Sequence, residues 1–279
     1  MNRGSMKEMT LNEIKKCSLG VLECIDAVCK KHHLHYFLCG GTLLGAVRHE
    51  GFIPWDDDID VMMPRCDYER LFEVWPKNSH YHVLCHSNTI NFPYAYGKAI
   101  DDRTVKVEPI RKSCRHIGVD VDIFPIDNIP DDEQEAIRFF DELAQRQHLL
   151  SRHVSQYGMS RNFIRSLAHN AIVLFFRVSE ILGFTSIDRL VSNYSLCAQK
   201  YNDKQTSHCG ITTIAHYGIK EKNKKDVYKD VRTVLFEGGG YPAPVGYDEY
   251  LARLYGKDYL KLPPIEMRQT HHGYKAYWK

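Results

Sequence analysis

Apolar residues recur at roughly helical intervals from Leu11 through Ile14, Leu19, Leu22 and Ile25 to Val28, with Lys and Glu between them. This spacing predicts an amphipathic helix over 11–33 that stops near the His32-His33 pair. A short apolar run, Leu34–Cys39, ends at Gly40-Gly41, and Thr42 opens a segment with the look of one short helix, so the pattern predicts strand, glycine turn and helix N-terminus. Gly51–Pro54 is a turn. After it Asp56, Asp58 and Asp60 alternate with apolar Ile59 and Val61, which predicts a half-buried strand. A helix is predicted over 67–74, closed by Pro76, and short strands over 82–85, 94–100, 104–107 and 118–124, the last alternating strictly before Pro125. From 131 to 192 the pattern turns helical, with Asp131 or Asp132 as N-cap of a run over 133–146 and a second helix over about 161–182. The whole predicts an α+β fold, a small mixed sheet flanked by helices, divided into a core over 1–130, a mainly helical acceptor-side region over 131–205, and a segment over 206–279 that packs back on the core.

The chain has 279 residues, enough for about two domains at roughly 150 residues each, or for one with an elaboration. Hydrophobic residues at 43% and charged residues at 26% exclude a disordered or collagenous chain. The 37 basic and 35 acidic residues nearly cancel, which argues against a general nucleic-acid binder. Nine scattered cysteines without a CxxC pair predict reduced thiols, and with no secretory signal in view, a cytoplasmic protein. The longest apolar stretch, 171–176, is too short to span a bilayer. The segment 161–184 nevertheless mixes a broad apolar surface with Arg161, Arg165 and Arg177, which suits either a core helix or one lying at a membrane interface. The lysine-rich stretch 221–230 is expected to be a solvated surface.

Chemistry concentrates in the acidic stretch. Carboxylates two apart on a strand share a face, and three of them repel unless a cation neutralises them, so the pattern invites a divalent ion; hard oxygen donors favour Mg²⁺, with Mn²⁺ as a substitute. Upstream, Gly40 and Gly41 lack a Cβ, so their backbone N–H groups can approach a phosphate at a helix N-terminus. Asp120 and Asp122, on one face of the second alternating strand, offer a further carboxylate.

The stretch 40–71, GGTLLGAVRHEGFIPWDDDIDVMMPRCDYERL, resembles the signature of the LicD proteins, the phosphocholine-transferase group related to fukutin, as do YGKAIDDRT (96–104), VDIFPID (121–127) and the C-terminal stretch from 236. The resemblance implies a nucleotidyltransferase-type fold and Mg²⁺-dependent transfer of a phospho-alcohol, phosphocholine from CDP-choline first, to a hydroxyl of a cell-surface glycan of teichoic acid or lipopolysaccharide type, and it is compatible with a lipid-linked acceptor at the inner face of the cell membrane. It assigns donor phosphates to Gly40, Gly41, Thr42, Arg48 and Lys98, metal to Asp58, Asp60 and Asp56, and catalysis to Asp58, Asp60 and Asp122. Asp122 completes the metal set unless Asp120 does. Glu237 and the His271-His272 pair fall in matching segments, whereas His32, His33 and His35 fit no ligand spacing. A choline head group would be read by aromatic faces. Trp55, Tyr94, Tyr96, Tyr274, Tyr277 and Trp278 stand nearest the motifs. Rival readings are transfer of ribitol or glycerol phosphate from its CDP form, a silent binding protein of the same fold, and a nucleotidyltransferase acting on protein or RNA.

Overall fold

A computed structural model describes residues 6–107, 117–158, 163–268 and 274–279. The chain begins with β1 (Lys7–Glu8) and α1 (Leu11–His32). Thr10 caps α1 reciprocally: its hydroxyl accepts from the Glu13 N–H, and the Glu13 carboxylate accepts from the Thr10 N–H at 2.8 Å. At the other end His33 turns left-handed at φ 55°. There follow β2 (Phe37–Leu38), α2 (Gly40–His49), β3 (Asp60–Pro64), α3 (Arg65–Val74), β4 (Tyr81–Leu84), β5 (Gly97–Asp101), β6 (Thr104–Val107) and the long β7 (Val119–Ile129). The helical stretch comprises α4 (Glu133–Val154), α5 (Phe163–Ile181) and α6 (Ile187–Ala198). The chain closes with β8 (His208–Ile211), β9 (Asn223–Lys224), the hairpin β10 (Val231–Phe236) and β11 (Gly239–Pro244), α7 (Tyr247–Tyr255) and β12 (Lys275–Trp278).

The architecture is the expected α+β one. A mixed sheet runs in the order β2-β3-β7-β5-β4, with β8 joining the far end of β7 and β9 pairing β8. β3 lies parallel to β7, whereas β5 and β8 are antiparallel to it. Alternation decides which face of β7 goes where. Val121 and Ile123 are fully buried in the main core with Val21, Leu22 and Ile25 of α1, and α1 and α3 pack on each other and on this strand. The opposite face carries Asp120 and Asp122. β7 continues past Pro125, where sequence reasoning ends it. The proline falls between the last residue paired to β5, Ile123, and the first paired to β8, Ile126, so that side of the strand has no ladder to interrupt.

The helical stretch has a cluster of its own, in which Phe139, Phe140 and Leu143 of α4 meet Val191 and Tyr194 of α6. Asp132, not Asp131, caps α4, accepting from the Glu135 N–H at 2.7 Å. Buried Asp127 ties this stretch to the core. It accepts two bonds from Arg65 at 2.8 and 2.7 Å, one from Asn202 and one from Thr212.

Two expectations need correcting. Asp56 and Asp58 are not strand residues: the Asp56 N–H closes a turn onto the Ile53 carbonyl, and β3 begins only at Asp60. The stretch 221–230 is not wholly solvated either, because β9 draws it onto the sheet. Glu221, Lys222 and Asn223 are buried, with the Lys222 ammonium on the Asp131 carbonyl at 2.7 Å.

Candidate metal and phosphate site

β2 delivers the chain to Gly40, whose φ of +51° lies in the left-handed region that favours glycine. A Cβ there would lie 3.4 Å from Asp60 Oδ2, and one on Gly41 only 2.8 Å from Asp56 Oδ2. The glycine pair therefore lets two carboxylates approach the N-terminus of α2, where the helix dipole favours negative charge. The Gly40 N–H donates to the Tyr250 hydroxyl at 3.3 Å. Thr42, buried, accepts from the Asp60 N–H at 2.8 Å and so fixes where β3 starts.

Asp60, Asp122 and Lys98 form one rung across β3, β7 and β5. Side chains of directly paired residues project from the same face, so two carboxylates and one ammonium are placed side by side. Just before β3, Asp56, Asp57 and Asp58 each bring a carboxylate oxygen within 4.8 Å of the others. Asp57, which simple alternation puts on the other face, thus joins the acidic group. Burial pushes the Asp60 carboxyl well above the usual range, and Asp58, Asp122 and Asp56 push it further while Lys98 opposes them. Asp122 is raised to about 6, by burial first and then by Asp120, against Lys98.

Asp120 behaves differently. Burial would raise it, but Lys106 at 2.8 Å and Lys98 at 2.5 Å outweigh burial and hold it well below the usual range. Burial likewise works against the charge on Lys98, and Asp120 and Asp122 more than offset it. Lys98 bonds both carboxylates, with Tyr94 and Tyr96 ring centroids 4.7 and 5.6 Å from its ammonium. Its charge is therefore matched to carboxylates of the sheet.

The donor set fits a small hard divalent cation. Its donors are carboxylate oxygens, and Asp58, Asp122 and Asp56 add to burial in holding the Asp60 carboxyl above its usual range, against Lys98. The adjoining Cys39 thiol is pushed well up by burial and by Asp60, so it stays a thiol and offers no thiolate.

Other expected residues are placed elsewhere or already engaged. Arg48, eight residues along α2 from Gly40, donates to the carbonyls of Tyr259 at 3.1 Å and Lys261 at 3.3 Å. Glu237 accepts from the Phe52 N–H at 3.0 Å and pins the loop before the acidic stretch. His271 and His272 lie outside the described residues. Trp55 carries Arg268 over its ring at 5.6 Å and Tyr274 carries Lys106 at 4.1 Å, while Tyr277 and Trp278 belong to β12, between β1 and β6.

Sequence reasoning passed over Tyr217 and Tyr255, whose rings meet at 83° and whose hydroxyls are 3.1 Å apart. The Tyr255 hydroxyl is 3.9 Å from where a Gly40 Cβ would stand; Tyr255 lies in the family-like stretch from 236 without being singled out there, and Tyr217 lies outside every such stretch. It also passed over Lys106, although strand alternation over 104–107 puts that lysine on one face. A cavity of about 200 Å³ lies where the core meets the helices, lined by Tyr94 and Tyr96, by Gln147 and Leu150 of α4, and by Tyr194 and Thr213 among others. The hydroxyls of Tyr194 and Thr213 are buried with no hydrogen-bond partner among the described residues.

Residues 33–166, which contain the glycine pair and the aspartates at 56–58, 60, 120 and 122, match the model of the LicD/FKTN/FKRP nucleotidyltransferase domain. The lipopolysaccharide cholinephosphotransferase LicD of Haemophilus influenzae is 30% identical over 277 residues, 98% of this chain and 99% of that one. An uncharacterized protein of Rickettsia prowazekii is 45% identical over 47 residues, 17% of this chain and 18% of its own. With a relative of that identity matched from end to end and the domain model lying across the carboxylate rung, the chain belongs to the LicD family.

Proposed function

We propose that this protein transfers phosphocholine from CDP-choline to a hydroxyl of a lipopolysaccharide-type glycan, using Mg²⁺ or Mn²⁺. The observation that carries the reading is the end-to-end similarity to a lipopolysaccharide cholinephosphotransferase. The acidic rung agrees with it, since a silent binding protein has no use for carboxylates held together where burial and one another's charge push a carboxyl above its usual range. Asp58 and Asp60, with Asp56 and Asp122, would hold the cation, which when bound neutralises pyrophosphate charge and the charge left on CMP. Gly41 and the N-terminus of α2 would offer backbone N–H groups to the donor phosphates, whereas the Gly40 N–H is already given to the Tyr250 hydroxyl. Lys98 holds Asp122 in place on its rung. The acceptor hydroxyl oxygen bonds to the phosphorus that carries choline, the bond from that phosphorus to the CMP oxygen breaks with its electron pair on CMP, and Asp122 takes the hydroxyl proton.

The cavity between core and helices suits the acceptor. Two of its lining residues, Tyr194 and Thr213, hold buried hydroxyls without a partner among the described residues, which sugar hydroxyls would satisfy, and it shares Tyr94 and Tyr96 with Lys98. The Tyr217–Tyr255 corner, close to Asp60, supplies the aromatic faces a quaternary ammonium needs. A second reading, transfer of ribitol or glycerol phosphate from its CDP form, is favoured by one fact: four of the aromatic faces nearest the motifs already carry the chain's own cations. Purified protein with Mg²⁺ and a lipopolysaccharide acceptor, offered CDP-choline, CDP-ribitol and CDP-glycerol side by side, decides between them. CMP release is expected to be fastest from CDP-choline; the opposite order would replace the head group, and release from none of the three would remove the transferase reading.

A further inference from the structure

We infer that α5 docks the protein on the surface of an anionic lipid bilayer. Sequence reasoning left this segment open between core and interface, and the structure exposes it. Ile164, Phe175, Ile181 and Phe184 are 75, 65, 83 and 69% exposed. Ile164, Leu167, Ala171, Phe175, Val178 and Leu182 follow one another at steps of three and four, so they form a single stripe along the helix, and each is exposed. The opposite face, with Ser166, Val173 and Ser179 buried, packs against α4. An apolar stripe of this length exceeds what an isolated surface tolerates without a partner.

Charge identifies the partner. Between 147 and 187 the chain has four arginines, at 152, 161, 165 and 177, against one carboxylate, Glu180. At 100° per residue, Arg165 stands roughly 120° from the stripe, where a long cationic side chain extends to headgroups while the apolar face enters the acyl boundary. Glu180 lies on the α4 side and accepts from Arg177 at 3.4 Å. The C-terminal end is held rigid for this, because Arg189 donates to the Phe184 carbonyl and Thr185 contacts His153 of α4. No helix among the described residues is long and apolar enough to cross a membrane, so α5 would lie in the interface plane. A second copy of the chain is the poorer occupant: an isologous contact repeats the same arginine-flanked stripe and supplies no acidic residues to meet it. The inference does not depend on which CDP-alcohol is the donor.

Co-sedimentation of the full chain with vesicles tests it. Binding to vesicles of phosphatidylglycerol and phosphatidylcholine at low salt is expected, falling at least tenfold in pure phosphatidylcholine and in the variants Phe175→Glu and Arg165→Glu. Circular dichroism of both variants should match the parent, which checks that each still folds. Phe175→Trp gives a second readout, a blue-shifted emission on adding anionic vesicles. Protein that stays in the supernatant at low salt, or binds equally after Phe175→Glu, overturns the inference. So does a concentration-dependent dimer in sedimentation velocity that Phe175→Glu converts to monomer, since the stripe would then be covered by a second copy.

Discussion

Asp60 has Asp58, Asp122 and Asp56 pressing on its carboxyl, beyond the effect of burial, and Lys98 opposing them. Asp60→Asn removes a ligand charge and keeps the side chain's volume. It is expected to lower CMP release on the order of 100-fold or more. Without divalent ions its thermal midpoint should equal or exceed that of the parent, because a like-charge repulsion is gone. Near-parental release would dismiss Asp60 from the site. Lys98→Met should do the reverse to stability, costing about 3–5 kcal/mol in urea unfolding, since Asp120 and Asp122 would keep their burial and lose their shared cation. Glu221 reports on pH. Burial lifts its carboxyl from 4.5 to about 8, with the Ile211 N–H at 3.5 Å as a weak counterweight. The folded chain thus keeps a proton that the unfolded chain releases, and the contribution to stability declines as pH rises from about 4.5 to about 8, by about 1.4 kcal/mol per pH unit. Unfolding Glu221→Gln at pH 5.5 and 7.5 should show that this slope has gone; an unchanged slope would assign it to another group. The placing of Asp60 beside Asp122 was legible in the sequence because strand alternation is local. Glu221 and Lys106 were not, because tertiary neighbours alone make a solvated-looking residue buried or paired.

At the scale of elements, β3 and β7 put Asp60 opposite Asp122 because Ile59, Val61, Val121 and Ile123 must all face the core, a pairing their apolar positions already specify. What alternation could not foresee was the turn at 53–56, which takes Asp56 and Asp58 out of the strand and brings in Asp57. The same distinction holds at α2: the glycines were visible, whereas the carboxylates they admit could be located only in three dimensions. Gly41→Ala is therefore expected to displace Asp56, which would meet the new methyl group at 2.8 Å, and to reduce CMP release while circular dichroism stays unchanged. Equal activity would mean that Asp56 is dispensable. Where α4 and α6 meet the core, the cavity allows a sharper measurement. Tyr194→Phe and Thr213→Val each delete a buried hydroxyl that has no partner, so the free protein should hold its stability or gain slightly. If a sugar satisfies those hydroxyls, the KM for acceptor should rise about fivefold per variant, the ~1 kcal/mol of one hydrogen bond, with the KM for donor unmoved. A rise in the donor KM instead would place the head group in the cavity.

The molecule as a whole joins two packed clusters through Asp127 and β8, and sets its acidic rung on the face of the sheet opposite α1 and α3. That separation allows the site to hold unfavourable charge: the main core, with Leu22, Ile25, Val61 and Ile123 fully buried, stabilises a fold in which several carboxylates repel one another. A protein built this way carries a deficit that the proposed cation would relieve in the folded state only, since the unfolded chain has no assembled site. Binding the folded state alone raises stability by RT ln(1 + [L]/Kd), about 2.7 kcal/mol at a hundredfold excess over Kd. In differential scanning fluorimetry, Mg²⁺ or Mn²⁺ is accordingly expected to raise the midpoint by several degrees over the same protein in EDTA. The shift should disappear in Asp58→Asn and Asp60→Asn and persist in Asp226→Asn, an exposed carboxylate remote in sequence from the acidic stretch. Because the parent's acidic repulsion is partly removed in the two site variants, their midpoints in EDTA should lie at or above its own even as their response to metal is lost. A parent midpoint indifferent to both cations, or an equal shift in Asp58→Asn, would show that the carboxylates repel without holding a metal, and the roles given to them in phosphoryl transfer would fall together.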